Sequence, residues 1–158
     1  MSKYRADEIF QFAIKIEENG KKFYSEMSEK FKNNDKVHEL FTDLSKQEVE
    51  HKKLFESMLS KFQNYSPEES FPEEYFTYLR SYADSTIFSD EVLKKEKENI
   101  SDLASALNFA MRRELESINY YNELKNMVPD EDKDKIEQVI QEEKRHFLYL
   151  NKIKSDNA

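Results

Sequence analysis

One glycine and three prolines in 158 residues leave this chain almost without the punctuation that β architectures need. Sandwiches and barrels turn every ~8–12 residues on Gly, Pro or Asn, whereas stretches of about 25 residues here run with no breaker. The expected fold is therefore all-α. The length suits a single domain over residues 1–158 that buries about 70% of its unfolded surface. The absence of cysteine excludes disulfides, thiolate nucleophiles and sulfur-ligated zinc or iron, so any metal must be held by carboxylate and imidazole. A net charge of −8 without a basic run repels phosphate backbones, and no nucleic-acid partner is expected. No apolar run approaches the ~20 residues of a membrane span, and the opening MSKYRADEIF lacks the apolar stretch of a secretory signal. A cytoplasmic protein with no membrane partner is the expectation.

Four segments carry seams that repeat at alternating steps of three and four, the period of a helix packed in a bundle. The first runs Phe10, Ala13, Glu17, Gly20, Tyr24, Met27, Phe31; the second Val37, Phe41, Leu44, Glu48, His51, Phe55, Met58, Phe62. The third runs Ile100, Leu103, Leu107, Ala110, Glu114, Ser117, Tyr121, Leu124, Val128, and the fourth Ile136, Val139, Glu143, His146, Leu150, Ile153. The short polar links Asn33-Asn34-Asp35 and Pro129-Asp130-Glu131-Asp132 predict two antiparallel hairpins, over residues 5–63 and 100–155. Residues 64–99 are read as a long crossover with one or two short helices, opened by Ser66-Pro67 and Phe71-Pro72 and packed on the bundle by its aromatics. The hairpins also repeat one another. Glu17-x-x-Gly20-x-x-Phe23-Tyr24 aligns with Glu114-x-x-Ser117-x-x-Tyr120-Tyr121, and Glu48-x-x-His51 with Glu143-x-x-His146. The duplication predicts a pseudo-two-fold, antiparallel four-helix bundle.

The strongly polar seam entries are Glu17, Glu48, His51, Glu114, Glu143 and His146. At ~1.5 Å of rise per residue each lies roughly 20–25 Å from its hairpin tip, so all six can meet at mid-bundle. Four buried carboxylates without cations would destabilise the fold by several kcal/mol per ion, and no lysine or arginine occupies a seam. Two divalent ions would balance the four negative charges with both imidazoles neutral. Oxygen and nitrogen ligands suit iron or manganese, and Glu-x-x-His places carboxylate and imidazole on one helix face.

One Glu on each of two helices and Glu-x-x-His on each of the other two resembles the ferritin-like di-iron carboxylate superfamily. The phrases Ala13-Ile14-Lys15-Ile16-Glu17-x-x-Gly20-x-x-Phe23-Tyr24 and Gln141-Glu142-Glu143-Lys144-Arg145-His146 are similar to its rubrerythrin branch. The resemblance implies a ferritin-like bundle holding two iron ions per chain, or manganese or a mixed pair. Glu17 and Glu114 would be terminal ligands, Glu48 and Glu143 bridges, and His51 and His146 one imidazole for each metal. It further implies an oxidoreductase that reduces hydrogen peroxide or reacts with dioxygen in oxidative-stress defence. An external donor such as a rubredoxin-like protein would supply electrons, and a homodimer is the family habit. Two departures stand out: no cysteine-bearing rubredoxin-like domain is present, and Ser117 stands where full rubrerythrins carry an extra glutamate.

Other residues admit plainer roles. Tyr24 and Tyr121, two turns past Glu17 and Glu114, lean back toward the metal layer as candidate catalytic residues or as core packing. Gly20, with Ser117, either leaves a pocket for the oxidant or lets helices approach closely. His38 reads as solvent-facing, and Glu18, Glu50, Glu116 and Glu142 as solvated. A ferroxidase that stores iron, a metal-binding module without turnover, and an inert bundle are the alternative functions.

Overall fold

The computed structural model describes residues 6–61, 73–83 and 90–157, all within helices and the short turns that link them. Four long helices, α1 (Ala6–Lys30), α2 (Asp35–Lys61), α5 (Leu103–Lys125) and α6 (Asp130–Asp156), form the bundle, and α3 (Glu73–Tyr82) and α4 (Asp90–Glu98) lie in the crossover. The seam residue Phe62 and the pairs Ser66-Pro67 and Phe71-Pro72 fall outside the described residues.

Pairings fix the topology. Ser25 bonds Ser45 and Lys52 bonds Glu18, so α1 and α2 run antiparallel; Lys125 bonds Glu137 across the second hairpin. Tyr120 Oη donates to Ile9 O and Lys30 Nζ to Ile100 O, which sets α1 antiparallel to α5. Lys61 with Asp132 and Gln47 with His146 do the same for α2 and α6. It follows that α2 and α5 are parallel, which is why the chain needs a crossover as long as the bundle. That crossover runs back along α5: Tyr75 bonds Glu123, Tyr82 Oη donates to Glu116 O at 3.0 Å, and Arg112 pairs with Glu96. Phe76, Leu79 and Ala83 are buried, whereas Tyr78 is exposed.

Helix ends follow local chemistry. Asp102 and Ser105 form a reciprocal capping box that starts α5 at Leu103, so the seam residue Ile100 lies before the helix although it is buried. The fourth helix starts earlier than its polar link suggested. Asp130, Glu131 and Asp132 form its first turn behind Pro129, where the helix dipole favours acidic side chains. Asp132 is buried and accepts from Lys61 Nζ at 3.1 Å.

The core is split. One apolar cluster gathers Phe10, Ile16, Phe55, Phe76, Tyr120, Tyr121 and Ile136; the other gathers Phe23, Tyr24, Phe41, Leu44, Leu107 and Leu150. The polar seam layer lies between them, sealed from both ends. Among the described residues no helix is long and apolar enough to cross a membrane.

Candidate metal centre

Every polar seam residue lies in this layer. Glu17, Glu48, His51, Glu114, Glu143 and His146 are all 4% exposed or less. Their ligand atoms fall into two groups, Glu17, Glu48, His51, Glu143 and Glu48, Glu114, Glu143, His146, with the atoms of each within 4.8 Å of one another. Glu48 and Glu143 belong to both groups. The two-position arrangement follows from the bundle's pseudo-symmetry, and the imidazoles stack at 6.0 Å between centroids and 20° between planes.

Both imidazoles turn Nδ1 inward. His51 Nδ1 lies 3.1 Å from Glu143 Oε1 and 3.6 Å from Glu17 Oε2; His146 Nδ1 lies 3.6 Å from Glu114 Oε1 and 3.7 Å from Glu143 Oε2. Both turn Nε2 outward, His51 to the Glu142 carboxylate and His146 to Gln47 Oε1 at 2.6 Å. The tyrosines cross over, Tyr24 Oη donating to Glu114 and Tyr121 Oη to Glu17 Oε1 at 2.5 Å. Burial first, then these carboxylates, push both phenols well above their usual range, so they remain protonated donors. Removing either hydroxyl leaves a buried carboxyl group short of a hydrogen bond. Tyr24→Phe and Tyr121→Phe should each destabilise the metal-free protein by about 1–3 kcal/mol in denaturant unfolding.

The site's fit to metal can be read from what lacks a partner. Glu17 Oε2, Glu114 Oε2 and His146 Nδ1 are buried without hydrogen bonds, an expensive state for charged or polar atoms unless a cation satisfies them. Without metal, protons fill that role. Burial opposes charge on His51, but Glu17 and Glu143 override it and hold the imidazole up at about 12; Glu114 and Glu143 overcome burial at His146 and hold it at about 10. Burial, then neighbouring carboxylates, raises Glu48 and Glu114 well above the ordinary range. Glu143 goes the other way: burial pushes it up, but the closeness of Glu114, His146 and His51 brings it well below the ordinary range.

These directions fix a pH dependence. A group raised on folding contributes stability fully present below its unfolded pKa and lost as pH climbs toward its folded one. For Glu48 and Glu114 that loss begins near pH 4.5, and for the histidines near 6.5, running up to about 10 and 12. The contribution of Glu143 disappears only on acidification below about 4.5. The melting temperature of metal-free protein should therefore fall between pH 6 and 9, while metal-loaded protein is destabilised by acid, because its ligands must be deprotonated. Melting curves with and without chelator check both slopes.

Gly20 lies in close approach to the Glu48 carboxylate. A Cβ there would stand 2.5 Å from Glu48 Oε2 and 2.9 Å from Glu48 Cδ. Beside it a cavity of about 10 Å³, about the size of one water-sized guest, is lined by residues that include Gly20, Tyr24, Glu48, Arg113, Glu114, Ser117 and Glu143. Glu142, His38, Glu18 and Glu116 depart from their expected solvent exposure, and one buried cation was not foreseen. Arg113 is buried beside this cavity, its guanidinium 5.9 Å from the Phe109 ring, because a long stem lets a charge off the seam share the interior. Glu142 is half-buried and bonds His51, since the antiparallel neighbour brings α2 within its reach. His38 is half-buried and its Nδ1 lies 2.8 Å from Ser28 O, tying the first hairpin near its turn. Glu50 is exposed, whereas Glu18 and Glu116 are half-buried. Glu142 stands immediately before a seam glutamate, and the residue in that place in the other hairpin, Gln47, is also in contact with a seam histidine. That repeated adjacency was the signal available in the sequence.

A family model described as rubrerythrin matches residues 8–154. Among solved structures, a Thermotoga maritima protein described as ferritin-like and diiron-carboxylate superposes with a TM-score of 0.70 at 26% identity, covering 98% of this chain and 97% of that one. No curated protein matches.

Proposed function

The chain belongs to the rubrerythrin family, and from that premise we propose that it is a di-metal oxidoreductase that reduces hydrogen peroxide with electrons from a separate carrier. The observation that carries this reading is the small cavity walled by Glu48, Glu114, Glu143 and Tyr24. A guest about the size of a water fits it and an organic substrate does not, which favours a small inorganic oxidant. Two iron ions held by the neighbouring cluster, or manganese, would supply two electrons that cleave the O–O bond of hydrogen peroxide, which with two protons yields two waters.

The chain's own residues prepare that event. Glu48 and Glu143 stand in both ligand groups and would bridge, Glu17 and Glu114 would each bind one metal, and the inward Nδ1 atoms of His51 and His146 would complete the set. Tyr24 and Tyr121 hold Glu114 and Glu17 in place, and Tyr24 keeps a proton on Oη at the cavity wall. The apolar clusters on either side exclude water. Peroxide is favoured over iron storage because, among the described residues, the groups able to hold a metal all belong to this one cluster. With no cysteine in the chain, electrons would arrive from a docked rubredoxin-like donor, and the protein would act as a homodimer.

Anaerobic stopped-flow mixing of the reduced, iron-loaded protein tests the reading. Oxidation by peroxide much faster than by dioxygen, with turnover dependent on added reductant, is the expected result. Fast dioxygen uptake with many irons stored per chain, in an assembly that elutes as a cage, would make it a ferroxidase. Inertness toward both oxidants for minutes would make it a binding module.

A further inference from the structure

We propose that Glu142 is a positioning residue that makes the two metal positions unequal, so that the position beside His51 fills first. The inference rests on the di-metal reading above and concerns how this chain's two halves differ. Ligand for ligand they match: Glu17 with Glu114, Glu48 with Glu143, His51 with His146. The outer hydrogen bonds of the histidines do not match. His51 Nε2 meets a carboxylate, Glu142, and His146 Nε2 meets an amide oxygen, Gln47 Oε1. Gln47 and Glu142 are the same residue of the duplicated helix, each immediately preceding its shared glutamate.

The chemical difference is one of charge at constant geometry. Both partners accept the Nε2 hydrogen and so fix the tautomer whose Nδ1 lone pair faces the cluster. Only the carboxylate places a negative charge behind the ring, which raises the basicity of Nδ1 and strengthens its bond to a cation. Glu142 is 39% exposed on its side chain, so water screens part of that charge. The effect therefore belongs at the low end of the 10–100-fold range known for groups that orient metal ligands, about tenfold. Mutual repulsion between two cations separates two binding steps even in a symmetric site, so the diagnostic quantity is where the first ion goes.

Anaerobic crystals of the full chain with one equivalent of Co(II), read by anomalous diffraction, locate that ion, and calorimetric titration with Co(II) measures both steps. In the wild type the first ion should occupy the Glu17/His51 side. In Glu142→Gln it should divide between the two sides, with the first step weakened about 5–10-fold and the second by less than about twofold. Gln47→Glu should also divide it, by strengthening the His146 side, and the exchanged double variant should move it there. Bridging or ligand atoms are untouched in all three, so a merely structural role for Glu142 would not produce the reversal. An even division in the wild type, or an unmoved first ion in both single variants, overturns the inference and leaves the di-metal reading standing. Failure of the wild type to bind Co(II) removes both.

Discussion

Replacing Glu48 and Glu143 together by alanine should abolish binding of both metals while the helices remain. Each carboxylate stands in both ligand groups, so losing the pair takes two donors from each metal position and leaves one carboxylate with one imidazole. The single variants should retain partial and weaker loading, because one bridge survives. The metal-free double variant should be less stable than metal-free wild type, because loss of Glu143 strands the two buried histidines that it faces, which outweighs relief of its repulsion with Glu48. Metal analysis after reconstitution, with circular dichroism as the fold control, reads both outcomes. Full occupancy in the double variant would refute the assignment.

Gly20→Ala should separate stability from metal binding. Alanine is favoured over glycine in a helix interior by about 1 kcal/mol, and the atoms its Cβ would strike, Glu48 Oε2 and Cδ, are the far end of a flexible side chain. The helix can therefore keep its path if the carboxylate swings away. The metal-free variant should be as stable as wild type or up to about 1 kcal/mol more so, and its metal affinity should drop on the order of 10–100-fold as the shared carboxylate loses its orientation. Ser117 occupies the equivalent place in the second hairpin with a Cβ present and its Oγ turned to Arg113 O at 2.9 Å. The close approach is thus a property of the first hairpin alone. A variant that binds metal as wild type does would mean that Glu48 has room to spare.

What was legible in the sequence was what helical periodicity encodes. Six polar residues on four otherwise apolar seams had to share one layer, because seam and depth are both fixed by counting residues from a turn, and the structure places them there. The crossover's length likewise followed from its two ends, and its helices α3 and α4 lie along α5. What stayed hidden depended on reach between helices. Glu142 lies off its own seam and acquires a role only because antiparallel α2 sets His51 beside it. Arg113 is buried by the length of its stem, which a seam pattern does not register. The reason for Gly20 is a distance to a side chain 28 positions away, read as packing or pocket from the sequence and resolved by the position of Glu48. The start of α6 was misplaced because an acidic run reads equally well as a loop or as a helix's first turn.

The central claim is that one cluster of four glutamates and two histidines holds two metals joined by shared carboxylates. Mössbauer spectroscopy of the protein reconstituted anaerobically with iron, together with metal analysis, tests it most directly. Two irons per chain that oxidise as a magnetically coupled pair are predicted, because Glu48 and Glu143 belong to both positions. One iron per chain, or two that behave as isolated ions, would contradict the account.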